Sequence, residues 1–134
     1  MAQSVTLTTF LVYDYDEAIA FFKRIQFEVL EDQVLSPEKR WVRVAPKGSQ
    51  GGALLLARAS TPEQQAQVGK QSGGRVAYFL QTEDFWTYYD FLQDSGVRFT
   101  EAPRKEPYGM VVVFLDLYGN RWDLVEQVAT VVAA

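Results

Sequence analysis

Asp116-Leu117-Tyr118-Gly119-Asn120-Arg121-Trp122-Asp123-Leu124 reads as a tight turn that hands one strand to the next. Gly119 and Asn120 are the residues best able to adopt the positive φ such a turn requires, and apolar runs flank them on both sides. Met110 to Asp116 and Arg121 to Gln127 are therefore predicted as the last two strands. Asp123 follows three residues after the turn, where alternation turns its carboxylate toward a potential ligand.

Working back from this hairpin, Val76 to Thr82 reads as a strand. Asp84 to about Asp94 reads as a helix with Phe85, Tyr88, Tyr89 and Leu92 on one side, stopped by Gly96, and Val97 to Glu101 as a further strand. The charged run Arg104-Lys105-Glu106 reads as a solvated loop. The same order stands in the first half. Val5 to Val12 is β-branched and apolar, and Asp14 is placed as N-cap with Glu17 three residues on as capping-box partner. Ala18, Phe21, Phe22 and Ile25 recur at i, i+3, i+4 and i+7, the stripe of a helix of about three turns. Phe27 to Glu31, Arg40 to Ala45 and Ala53 to Ala57 complete β-α-β-β-β.

The halves align at a constant spacing. Asp84 lies 70 residues after Asp14, and the same shift pairs Phe91 with Phe21, Glu101 with Glu31, Pro107 with Pro37, Val112 with Val42 and Leu124 with Leu54. Matching element order without a net gap predicts an internal duplication, with each module too small to bury its own helix. The expected organisation is one domain over 1–134: module one at about 4–59, a linker helix and loop at about 60–74, and module two at about 75–128. The linker helix starts at Thr61-Pro62-Glu63-Gln64, with Pro at the first helical position and Gln as reciprocal cap, and Gly69 stops it.

Composition narrows the chemistry. The 134 residues are 48% hydrophobic, with 9 Phe, 7 Tyr and 3 Trp, enough for a core and an aromatic pocket. Seventeen acidic against 13 basic residues give a net charge of −4, which argues against nucleic acid as partner because phosphate neutralisation needs a concentrated basic face. No apolar run is long enough to cross a bilayer, so no membrane partner is expected. The chain has no cysteine and no histidine. Thiol and Ser-His-Asp nucleophiles, zinc-thiolate sites and the commonest metal ligand are thereby excluded, and a cytoplasmic setting fits.

The segment Asp14-Tyr15-Asp16-Glu17-Ala18-Ile19-Ala20-Phe21-Phe22 resembles the first helix of the glyoxalase, bleomycin-resistance protein and extradiol dioxygenase superfamily, the vicinal oxygen chelate (VOC) proteins. Phe27-Glu28-Val29, Tyr78 to Phe85, Gly96-Val97-Arg98-Phe99 and the 116–124 hairpin resemble the later segments of that family. The resemblance implies an α+β fold of two tandem βαβββ modules forming a curved mixed sheet with helices outside. It also implies a homodimer, with which the apolar tail at 128–134 is compatible.

In the family's enzymes a divalent metal is held from the first and fourth strands of each module. On the resemblance these positions fall on Leu7, Ala53, Ala77 and Asp123, three of which carry no donor atom. One carboxylate does not hold a hard divalent ion or zinc tightly, so no metal and no other cofactor is expected.

Alternation along the strands leaves Leu7, Thr9, Leu11, Trp41, Arg43, Ala77, Phe79, Gln81, Val111, Val113 and Asp123 on the inward faces. The expected ligand-binding set is Leu7, Thr9, Trp41, Arg43, Ala53, Ala77, Phe79, Gln81 and Asp123. Trp41 or Phe79 would stack on a planar ligand, Arg43 would pair with an anion, and Asp123 would attract a cation or act as base. Asp123 in a salt bridge with Arg43 or another basic residue is the structural alternative.

Three readings stand at this point. The first is a metal-free small-molecule-binding protein of the bleomycin-resistance type. The second is a lyase, isomerase or dioxygenase-like enzyme using Asp123 as catalytic base without the usual metal centre. The third is an interaction module whose concavity is filled by its own side chains.

Overall fold

The computed structural model describes residues 1–126. The chain forms two compact units, Met1–Val68 and a second from Gly69 onward. The predicted tail at 128–134 and the last residue of the final predicted strand, at 127, lie outside the described residues.

The first unit runs β1 (Leu7–Val12), α1 (Tyr15–Arg24), β2 (Phe27–Ser36), β3 (Lys39–Pro46), β4 (Ala53–Arg58) and the short α2 (Pro62–Gln67). Its sheet has the order β1-β4-β3-β2, with β1 parallel to β4 and the other pairs antiparallel. The α1 helix begins where the Asp14 carboxylate accepts the Glu17 N–H at 2.9 Å, and it ends as the chain turns through Gln26 at φ 69°. Its stripe of Ala18, Phe21, Phe22 and Ile25 is buried against the sheet residues Phe10, Val42, Val44, Leu54 and Leu56. Phe22 centres this core, with its ring 5.2 Å from Phe10, 5.5 Å from Phe21 and 5.0 Å from Phe27. Burying each such ring contributes about 1.5–3 kcal/mol, so the stripe rather than helix propensity holds α1 in place.

The second unit runs β5 (Val76–Gln81), α3 (Phe85–Asp94), β6 (Arg98–Phe99), β7 (Arg104–Glu106), β8 (Gly109–Leu115) and β9 (Arg121–Val125). The order is β5-β9-β8-β6, with β7 also on β8 and β5 parallel to β9. Asp84 caps α3 through its bond from the Thr87 N–H, and Phe85 and Leu92 are buried under it with Phe114, Trp122 and Leu124.

The 116–124 hairpin differs from expectation in one respect. Gly119 takes the positive φ, 95°, whereas Asn120 does not. Asn120 is instead bound to Asp116, whose carboxylate is 2% exposed. Asp116 accepts the Tyr118 N–H at 2.9 Å, the Asn120 N–H at 3.1 Å, the Asn120 side-chain amide at 3.0 Å and the Trp122 indole N–H at 2.9 Å. Burial nevertheless raises its pKa against the pull of these donors.

Three further boundaries are corrected. The strand expected at Phe27 to Glu31 extends to Ser36, because β3 is long enough to pair with it throughout. Arg104–Glu106 is a short strand on β8, not a solvated loop, since the turn before Gly109 folds it back into register with Met110 and Val111. The strand expected over Val97 to Glu101 is reduced to Arg98–Phe99. The linker helix caps differently too: Thr61 accepts the Gln64 N–H as expected, but Gln64 Oε1 accepts from Ser60 rather than from the cap residue.

Candidate functional site

In the first unit, Leu7 and Ala53 are direct neighbours across β1 and β4, Thr9 lies opposite Leu55, and Leu11 opposite Ala57. Arg43 pairs with Leu55 on one side and with Glu31 on the other. The period-2 rule thus gathers Leu7, Thr9, Leu11, Ala53, Leu55, Ala57 and Arg43 on one face, opposite the face that buries α1. Trp41 joins them from further along β3.

Glu31 organises the polar part of this face and was not among the expected residues. Its carboxylate accepts the Trp41 indole N–H at 3.0 Å and the Arg43 guanidinium at 2.5 Å. Arg43 first, and then Trp41, hold the Glu31 carboxyl below the usual carboxylate range. This corrects two expectations. Arg43 is held by an acid of its own sheet, so it is not an open anion clamp. Trp41 has its ring plane fixed by a bond from its only donor. Alternation from Phe27, whose ring packs on Phe22, would turn Glu31 to the helix face; the irregularity between Val29 and Glu31 in the β2–β3 pairing turns it to this face instead, which is why the sequence did not mark it.

A cavity of about 480 Å³ opens on the unit, within the range of small-molecule sites. Thr9, Leu11, Trp41, Leu55 and Ala57 contribute to its lining from the face just described. Around it stand Tyr15, Lys39, Arg40, Arg58 and Gln64, which sequence reasoning did not single out. Arg40 is occupied: it bonds Asp16 at 3.0 Å and Asp32 at 2.7 Å and lies over the Tyr15 ring at 5.1 Å. Leu7, Arg43 and Ala53 lie on the same face but outside the cavity's lining.

In the second unit, Phe79 is the register neighbour of Asp123, and Val113 flanks Asp123 on the other side. The constant spacing of 70 put Ala77 there. On that spacing Val76 would pair with Trp122 and Phe79 with Val125; instead Val76 already pairs with Arg121, one residue short, and the irregularity between Val76 and Tyr78 adds a second, so Phe79 takes the place beside Asp123. Phe79 is 71% exposed and Gln81 is exposed at the strand end.

Asp123 is half-buried, and its Oδ1 is enclosed with no hydrogen-bond partner among the described residues. Burial raises its pKa; Arg104 nearby pulls it down and Glu101 pushes it up. Glu101 itself accepts the Val113 N–H at 3.2 Å and the Arg104 guanidinium at 3.0 Å.

These residues do not fit the divalent metal of the fold's enzymes. Leu7 and Ala53, side by side in the first unit, carry no donor, nor does Ala77 in the second, and Asp123 supplies one carboxylate. Among the described residues no group of three or more His, Cys, Asp or Glu is placed to hold a metal ion. No helix among them is long and apolar enough to cross a membrane.

A family model described as the Glyoxalase/Bleomycin resistance protein/Dioxygenase superfamily matches residues 5–124. An uncharacterized protein from Shewanella frigidimarina (strain NCIMB 400) is 49% identical over 128 residues, 94% of this chain and 95% of the relative. The crystal structure of UcmS2 superposes with a TM-score of 0.79 at 30% identity, covering 92% of this chain and 98% of that one. That of TnmS3, an antibiotic binding protein from Streptomyces sp. CB03234, gives 0.74 at 29% identity, with 96% and 99% covered.

Proposed function

The chain belongs to the glyoxalase/bleomycin resistance protein/dioxygenase superfamily, and from that premise we propose that it is a metal-free binding protein for a small, planar organic molecule. The observation that carries this reading is the cavity of about 480 Å³ over Leu11, Leu55 and Ala57, with Trp41 beside it. The indole is anchored to Glu31 at 3.0 Å, so its ring is oriented before a ligand arrives. Such preorganisation lowers the ordering entropy of binding. The donor-poor positions at Leu7, Ala53 and Ala77 support binding without metal chemistry. TnmS3, alike over nearly its whole length, is described as an antibiotic binding protein, which supports the same class of activity. We take the protein to work as a cytoplasmic homodimer, a setting that a cysteine-free chain suits.

The test is a thermal-shift screen over antibiotics and aromatic acids with and without divalent metals. A melting shift with a ligand and none with nickel, zinc, manganese or iron supports the proposal. A stoichiometric metal site of micromolar affinity or tighter by calorimetry overturns it. Light scattering that reports a monomer at micromolar concentration overturns the dimer.

One observation favours a second reading, a lyase or isomerase that uses Asp123 as base. Its Oδ1 is enclosed and unbonded among the described residues, and burial raises its pKa toward that of a working base. Turnover that is abolished in Asp123→Asn would establish this reading in place of the first.

A further inference from the structure

Resting on the binding reading above, the geometry points to a planar anion as the ligand of the first-unit cavity, its ring on Leu11, Leu55 and Trp41 and its negative group on Arg58 and Gln64. Most of the charged groups around the cavity are already spent on one another. Glu31 is consumed by Arg43 and Trp41, and Asp16 and Asp32 are consumed by Arg40. A cationic ligand would therefore find Glu38 as the one lining carboxylate, directly beside Lys39 on the β2–β3 hairpin.

Arg58 stands differently. It ends β4, and among the described residues its guanidinium has no ion pair or side-chain hydrogen bond. Gln64, on α2, adds donors of defined orientation. Its Oε1 receives the Ser60 backbone N–H at 2.8 Å and the Ser60 hydroxyl at 3.1 Å. A backbone N–H only donates, so the atom it meets is oxygen, and the two Nε2 hydrogens remain for another acceptor. Arg58 and Gln64 line the same cavity as the apolar floor. One side of the cavity thus offers unspent donors, which suit a carboxylate, sulfonate or phenolate on an aromatic ring. Arg43, the cation that alternation in the sequence selects for this task, is already neutralised.

The experiment uses one naphthyl isomer in three forms, naphthoate, naphthamide and naphthylmethylammonium, titrated into the full chain. Binding is followed by fluorescence, with Trp41→Phe subtracted to isolate the Trp41 signal. Naphthoate is expected to bind roughly tenfold more tightly than naphthamide. The preference should weaken with added salt and fall below about twofold in Arg58→Gln. Lys39→Gln, which removes the neighbouring cation, should leave the preference in place. A preference that survives in Arg58→Gln, that disappears in Lys39→Gln, or that favours the ammonium overturns the inference and leaves a small-molecule cavity standing. Absence of any Trp41 signal with all three probes overturns the cavity reading itself.

Discussion

Removing the Asp116 carboxylate tests the keystone of the second unit. Asp116→Ala leaves two donors, Trp122 Nε1 and Asn120 Nδ2, without their acceptor, in residues each 3% exposed. A buried donor left unmatched costs about 1–3 kcal/mol, and the N–H groups of Tyr118 and Asn120 lose the same partner. Relief from desolvating the carboxylate offsets part of this, so the expected net loss is about 3–4 kcal/mol. The sharper test is the coupling between Asp116→Ala and Trp122→Phe. Each single change loses the indole–carboxylate bond, and the double change loses it once, so the cycle should return about 1.5–3 kcal/mol, the range for a bond to a charged group. Urea unfolding followed by far-ultraviolet circular dichroism reads all four proteins without relying on Trp122 fluorescence. A coupling below about 0.5 kcal/mol would refute the assignment of Asp116 as the group that ties this turn to the core.

Gly69 and Gly119 separate steric clash from conformational strain. A Cβ on Gly69 would stand 2.0 Å from the Tyr118 carbonyl oxygen, so Gly69→Ala should lose upwards of about 2 kcal/mol, against about 1 kcal/mol for Gly119→Ala, whose added methyl meets open space at φ 95°; equal melting temperatures for the two variants would contradict this. Asp123 has a folded pKa above its ordinary 3.8, so its contribution is fully present below that value and lost as pH rises through the raised one. Asp123→Asn should therefore raise the urea midpoint at about pH 7, with the gain vanishing toward about pH 4, and a gain independent of pH would count against the burial origin of the shift. Arg43→Gln should return Glu31 toward the ordinary carboxylate range in an NMR titration, because the guanidinium is the largest influence holding it down.

Local physics was legible in the chain throughout. The stripe of Ala18, Phe21, Phe22 and Ile25, the caps at Asp14 and Thr61, and the Gly119 turn depend on neighbours within a few residues, and each stands where periodicity and side-chain chemistry place it. The absence of imidazole and thiolate ligands was legible for a simpler reason: the chain has no histidine and no cysteine. Which strands pair with which, and in what register, was less accessible. The spacing of 70 assumes that both modules keep step, but β5 meets β9 one residue out of that register at Val76 and slips by one more before Tyr78, which seats Phe79 beside Asp123.

The sequence by itself determined the helices, most of the strands, the face that each long helix buries and the lack of imidazole and thiolate ligands, because these follow from residue type and spacing along one strand or helix. Tertiary structure alone decided which charges are spent. Arg43 meets Glu31 only because β2 pairs with β3 in one register, and Arg58 joins Gln64 around one cavity only because the chain returns there after β4. Electrostatic partnership falls off over a few ångströms, and separation along the chain carries no measure of that distance.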